Sequence, residues 1–148
     1  MFLCYNEFEK GGVFMECIIK GKVLIVPEGT VKIGFKDICN YIYDDLIEEI
    51  LLPSTLEFIE DNTFFDFTEI KKINIPKSVI EIGSQAFLGL DRVEELVIPS
   101  TVKHIKKHAF CNISQCKLII VGEHSTIPDG WDAEFAANLK ELCFVSKL

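Results

Sequence analysis

Three prolines stand in register and fix most of what this chain can become. Ile50-Leu51-Leu52-Pro53, Ile73-Asn74-Ile75-Pro76 and Leu96-Val97-Ile98-Pro99 follow one another at intervals of 23 residues. Leu24-Ile25-Val26-Pro27 precedes them by 26 residues. Leu118-Ile119-Ile120-Val121 follows after 22, with valine in the proline slot. Leu142-Cys143-Phe144-Val145 ends the series. The interior of each unit repeats as well. Six residues after the proline slot stand Ile33, Ile59, Ile82, Ile105 and Ile127. Thr63-Phe64, Ala86-Phe87 and Ala109-Phe110 come next, and then Phe67, Leu90 and Ile113. A fixed period in the twenties marks a solenoid. One such unit cannot bury its own apolar side, so stacking of neighbours makes the core.

Each slot has a physical meaning. The apolar-x-apolar-Pro element has period two, which makes it a short strand with alternate residues inward. Proline cannot donate to a ladder, so it ends the strand and turns the chain. The Val-x-x-Ile element is a second short inward pair. Ala-Phe sets a small residue beside a large one, so that coils approach closely while the ring fills the space between them.

Ile75-Pro76-Lys77-Ser78-Val79-Ile80-Glu81-Ile82-Gly83-Ser84-Gln85-Ala86-Phe87 resembles the BspA-type leucine-rich repeat almost slot for slot. The likeness covers about residues 24–145. Phe67, Leu90 and Ile113 stand where the family pattern has cysteine. The first unit carries three extra residues, and the last has Pro128-Asp129-Gly130-Trp131 in place of a nearby Ala-Phe. The resemblance implies a curved solenoid used for binding, with no catalytic residues to carry over.

The expected fold is an α/β repeat solenoid, a right-handed leucine-rich-repeat-like coil of about five units with parallel strands and short outer helical turns. Residues 1–148 form a single domain, with 1–23 as an N-terminal cap and 24–145 as the repeats. The cap reads as a β-hairpin of residues 2–8 and 13–20 around Gly11-Gly12. Phe35, Ile38, Ile42 and Leu46 follow helical spacing, so residues 35–47 are expected as a helix on the outer side. Its acidic end, with Asp44, Asp45, Glu48 and Glu49, is either a solvated face or a docking surface for a basic partner. Residues 132–140 read as a short helix, with Trp131 as a plug at the last coil.

Strand register yields a candidate binding face. If Ile50 and Leu52 and their equivalents point inward, then Leu51, Asn74, Val97, Ile119 and Cys143 form an outward row. Beside it runs Glu49, Lys72, Glu95, Lys117 and Glu141, alternating in sign at every step. Parallel strands lie about 4.8 Å apart, so each row is a ladder of close neighbours. Phe58 and Ile80 extend the apolar strip on the second strand element. The charged row reads as self-neutralisation, worth well under about 1 kcal/mol for each exposed pair. The apolar row reads equally as a protein interface or as a face covered by the chain's own ends. The last strand, residues 142–145, offers an edge for strand addition or self-association.

The chain carries a formal net charge of −8. Residues 1–49 hold nine acids and five bases, residues 50–96 nine and four, and residues 97–148 five and six. Duplex nucleic acid is therefore a poor partner, and a basic protein a good one. Six cysteines, Cys4, Cys17, Cys39, Cys111, Cys116 and Cys143, fall largely in slots where a small apolar residue would serve. The chain opens with neither a basic start nor an apolar run, and no stretch approaches membrane-spanning length. The expected setting is reducing and cytoplasmic, away from the membrane.

His104, His108, Cys111 and Cys116 cluster in sequence without the tight pairs that a metal site needs, so no metal or other cofactor is expected. No phosphate loop, nucleophile elbow or paired-carboxylate motif appears, so no enzyme is expected. The resulting expectation is a non-catalytic protein–protein interaction module. Its specific form is an acidic intracellular inhibitor, such as an immunity protein that neutralises a basic toxin. The alternative is a cell-surface or adhesion-type leucine-rich-repeat binding domain.

Overall fold

The computed structural model describes residues 16–42, 46–111, 113, 116–121, 130–131 and 143–145. The proline-terminated segments form one column of strands: β2 (Val23–Ile25), β4 (Glu49–Leu51), β6 (Lys72–Ile73), β8 (Glu95–Ile98), β10 (Lys117–Val121) and β12 (Cys143–Val145). The isoleucine segments form a second column: β3 (Lys32–Ile33), β5 (Phe58–Ile59), β7 (Glu81–Ile82), β9 (His104–Ile105) and β11 (Gly130–Trp131). Every pairing within either column is parallel. The structure is thus a solenoid with two short strands in each coil.

The prolines occupy equivalent places. Each is followed by the same turn, in which the amide three residues on donates to the proline carbonyl: Leu56 to Pro53, Val79 to Pro76 and Val102 to Pro99, at 3.1–3.2 Å. Thr30 repeats the turn on Pro27 at 3.3 Å. The second residue after the proline explains the hydroxyl preferred in that slot. Thr55 donates its hydroxyl to the Thr30 carbonyl and Ser78 to the Leu56 carbonyl, one coil back in each case.

The core follows from period-two patterning. Leu24, Ile50, Ile73 and Leu96 from the first column, and Ile33, Ile59, Ile82 and Ile105 from the second, are all buried. Leu56, Val79 and Val102 close the corner between the columns. The phenylalanine slot forms an internal stack. The Phe64 and Phe87 rings lie 5.2 Å apart, and the Phe87 and Phe110 rings lie 5.2 Å apart and nearly parallel. Such ring pairs add about 0.5–1.5 kcal/mol beyond the area they bury. Thr63, in the alanine slot, is buried. Its hydroxyl is satisfied by the Ile33 and Glu60 carbonyls.

The outer crossings are tight turns. In three of them, one residue takes a left-handed conformation at the same slot: Asn62 (φ 58°), Gln85 (φ 55°) and His108 (φ 59°). A second left-handed slot holds Asp66 and Gly89. Coil-to-coil bonds at this side run from Phe64 to the Ala86 carbonyl and from Phe87 to the Ala109 carbonyl.

Several details differ from the sequence reading. The helix expected over residues 35–47 is one short α-helix, α1 (Phe35–Ile38), followed by a 3₁₀ turn over Cys39–Tyr41. Ile38 and Cys39 are buried and Phe35 and Ile42 half-buried, but Leu46 is exposed, so the apolar spacing marks an inward face only as far as Ile42. Ile42 and Leu46 lie in turns, the chain must return by Glu49 to pair β4 beside β2, and residues 43–45 lie outside the described residues. The hairpin expected within residues 2–20 falls mostly outside the described residues. An antiparallel hairpin does precede the coils, but at a later place: β1 (Ile18–Lys20) pairs with β2 through Gly21-Lys22. Gly21 has φ 60°, the conformation such two-residue turns require. In the last unit, Trp131 and not Ile127 stands opposite Ile105, and Gly130 stands opposite His104. The helix expected over 132–140 lies outside the described residues.

The first column is also not one sheet. It divides into a four-stranded sheet, in the order β1-β2-β4-β6, and a three-stranded sheet, β8-β10-β12. The second column runs unbroken through five strands. Among the described residues, the coils at the break therefore pair as strands through one column and not through the other.

Candidate protein-binding surface

The outward row of the first column starts on β1. Register places Ile18 opposite Ile25 and Ile25 opposite Leu51, on three adjacent strands. Ile18 is 50% and Leu51 41% exposed, with Ile25 half-buried between them. Extended toward the C-terminus, the row changes character. Asn74 is polar and exposed, and Val97 is half-buried. Ile119, in register with Val97 and Cys143, is only 6% exposed. The expected strip from Leu51 to Cys143 is therefore not a continuous apolar surface. An outward direction on a strand does not ensure exposure, because other parts of the chain cover Ile119. The Cys143 side chain lies outside the described residues. Ile18 and Ile25 were missed by reading only the repeat. Their signal was local: Gly21-Lys22 between Ile18-Ile19-Lys20 and Val23-Leu24-Ile25 is a hairpin pattern.

The alternating charged row is present in part. Glu49 and Lys72 stand in register, and their side chains pair at 2.6 Å. Glu95 and Lys117 also stand in register, across the other sheet. The break between β6 and β8 separates Lys72 from Glu95, and Glu141 lies outside the described residues. A parallel charged column runs one residue earlier. Glu48 accepts from Lys22 at 2.6 Å and from Lys71 at 3.1 Å. The bonds from Lys22, and next from Lys71, hold the Glu48 carboxyl below its usual pKa. These pairs lie in water, so their contribution is small and falls with salt.

The second column has its own outward row. Phe58, 36% exposed, stands in register between Lys32 and Glu81, with His104 next beyond Glu81. Lys32 pairs with Glu60 at 2.5 Å. Lys106 reaches Glu81 at 3.1 Å and Asp61 at 3.5 Å. Ile80 is half-buried at the corner beside this row, where its amide donates to the Glu57 carbonyl. Among the described side chains, every exposed large apolar residue lies between positions 18 and 65: Ile18, Ile19, Val31, Leu46, Leu51, Phe58 and Phe65.

The chemistry of the described residues is that of a surface. No three His, Cys, Asp or Glu side chains among them converge as a metal site would require. Cys17, Cys39, Cys111 and Cys116 are thiols. Burial, and secondarily Asp37, pushes the Cys17 thiol up to about 11; burial, and secondarily Glu95, does the same at Cys116. Thiols so shifted are poor nucleophiles at neutral pH. No described helix is long and apolar enough to cross a membrane.

Comparison with known proteins agrees with the coil geometry. A solved structure, a leucine rich cell surface protein from Faecalibacterium prausnitzii, matches with a TM-score of 0.51 at 21% identity. The match covers 70% of this chain and 33% of that one, so the chain spans about a third of the neighbour's length and the likeness is one of fold. No curated protein matches the chain. The family described as BspA type leucine rich repeat region matches residues 36–147 in six copies. The repeat slots, the two strand columns and this match agree: the chain belongs to the BspA-type leucine-rich repeat family, whose members are protein-binding repeat modules.

Proposed function

We propose that this protein is a non-catalytic module that binds another protein, basic in charge, and that it acts as an inhibitor of that partner. The observation that carries this reading is that, among the described side chains, the exposed large apolar ones fall within residues 18–65 of a chain with net charge −8. Within that range Ile18, Ile25 and Leu51 stand in register on three adjacent strands, and adjoining apolar side chains of this kind mark a contact site. An acidic protein attracts a basic one over distance and speeds encounter. A toxin domain neutralised by an acidic immunity protein inside a reducing cell fits this chemistry. The experiment is affinity capture from the native cell, followed by reconstitution of the purified pair at low and high salt. The expected partner is a basic protein whose activity falls on binding and whose affinity drops as salt rises. A purified partner that is acidic, or binding indifferent to salt, counts against the reading.

A second reading is favoured by one observation, that the solved neighbour is a cell surface protein. On that reading the module displays its face outside the cell. Fractionation of the native cell separates the two: surface protease accessibility supports display, and protection inside the cytoplasm supports the inhibitor.

A further inference from the structure

The outer face of the second strand column carries an imbalance of charge around one exposed ring. Phe58 lies in register between Lys32 and Glu81. Residues two apart on a strand share a face, which places Glu60 beside Phe58 and Lys106 beside His104. Lys32 is taken up by Glu60. Lys106 serves two carboxylates at once, Glu81 and Asp61. Glu60 and Glu81 stand beside the ring, and Lys106 links Glu81 to Asp61, which also accepts from the Ser84 amide. Among these five charged groups three carboxylates share two ammonium groups, a net charge of −1. The bond to Glu81 is the main reason the Lys106 ammonium is held more tightly protonated than usual. The other exposed face differs in sign. Around Ile18, Ile25 and Leu51 stand Lys20, Lys22, Lys71 and Lys72 against Glu16, Glu48 and Glu49, a small excess of positive charge.

We propose that the face around Phe58 receives an arginine side chain from the partner protein, its guanidinium over the Phe58 ring and bonded to the carboxylates of Asp61 and Glu81. The inference rests on the protein-binding reading and names the site within it. Arginine fits better than lysine because a planar guanidinium both stacks on a ring and engages carboxylates through several donors. Val31 and Ile80, at the corner beside the ring, supply apolar contact for the flanking residues of the partner.

The probe is a short synthetic peptide of alternating arginine and leucine, titrated into the full chain and followed by amide chemical shifts. The expected shifts centre on Val31, Phe58 and Ile80. They vanish when citrulline replaces arginine in the peptide. Phe58→Ala weakens binding about ten-fold, from loss of the ring beneath the cation. Asp61→Asn weakens it as well. Lys106→Gln tightens binding about five-fold, because it removes the internal competitor for the same carboxylates. That opposite sign is one a merely structural defect would not produce. Phe58 is on the surface, and unchanged shifts at the core residues Phe87 and Ile82 show that the variant is folded. Shifts centred on Ile18 and Leu51, equal binding of the citrulline peptide, or weaker binding by Lys106→Gln would overturn the proposal. A natural basic partner that binds Phe58→Ala as tightly as the parent overturns this site and leaves the protein-binding reading standing. Absence of any protein partner in the native cell removes that reading instead, whatever the peptide does.

Discussion

Gly83 shows how closely the coils approach. It follows Ile82 in the second column, and a Cβ there would overlap the backbone of Glu60 and Asp61 in the preceding coil. Backbone cannot move aside as a flexible side chain can. Gly83→Ala should therefore destabilise the fold by about 1–3 kcal/mol, read as a lower urea midpoint. Gly34 occupies the same slot two coils earlier, with Glu60 in that slot between them. The atoms nearest to a Cβ there belong to the Glu60 side chain, whose carboxyl end can swing away, so Gly34→Ala should be milder. Equal effects at the two glycines would contradict the packing described. The buried thiols give a second residue-scale expectation. Cys17 and Cys116 are raised to about 11 from an ordinary 9.0. The unfolded chain releases these protons first as pH rises. Folded stability from this source is thus complete below pH 9 and is lost between about 9 and 11. Denaturant midpoints measured across that interval should fall, and Cys17→Ser with Cys116→Ser should flatten the decline. A midpoint constant up to pH 11 would show that the thiols titrate as if exposed.

At the scale of strands, the break between β6 and β8 sets a testable contrast. In the first coils the amides of Glu48 and Lys71 donate at 2.8 Å to Lys22 and Glu48, one coil back. Glu94 is next in that series, and the corresponding bond to Lys71 is missing from the backbone network. In the second column Glu57, Ile80 and Lys103 keep the series intact at 2.8 Å. Amide exchange at Glu94 should then run at least about ten-fold faster than at Lys71 or Lys103. Equal protection at the three positions would mean that the first column is continuous after all. The spacing from Ile73 to Leu96 is the same 23 residues as from Ile50 to Ile73. Nothing in the pattern marks the break, because coil-to-coil bonding is backbone chemistry with no side-chain signature. The proline turns and the isoleucine column were legible for the opposite reason: proline restricts its own geometry, and a buried isoleucine must recur at each coil. The binding surface lay between these cases. The outward direction of Leu51 and Phe58 followed from alternation alone. The burial of Ile119 did not, since it depends on what lies across the strand. The place of Trp131 opposite Ile105 was hidden by Ile127, which keeps the repeat spacing but not the strand pairing.

For the molecule as a whole, stacking implies that a coil can be removed if the register survives. Each unit contributes the same set to the core, here Val79, Ile82, Ala86, Phe87, Leu90, Val93, Leu96 and Ile98. It contacts mainly its neighbours, so stability is close to a sum over units and the interfaces between them. Deletion of residues 76–98 removes one period of 23 and joins Ile75 directly to Pro99. The new junction restores an apolar residue followed by proline at the end of a first-column strand. Phe64 would then stack on Phe110 in the place Phe87 held, and Ile59 would lie beside Ile105. The shortened chain should fold cooperatively with a circular dichroism spectrum of unchanged shape. Its urea m-value should fall by about one sixth, in proportion to the surface no longer buried. A deletion of residues 76–87 removes less chain but sets Ile75 against Leu88, out of phase with every slot. That variant should lose its cooperative transition although it keeps more residues. If the shorter deletion folds and the full-period one does not, chain length and not stacking register governs stability, and the two-column solenoid is the wrong description of how the core is held.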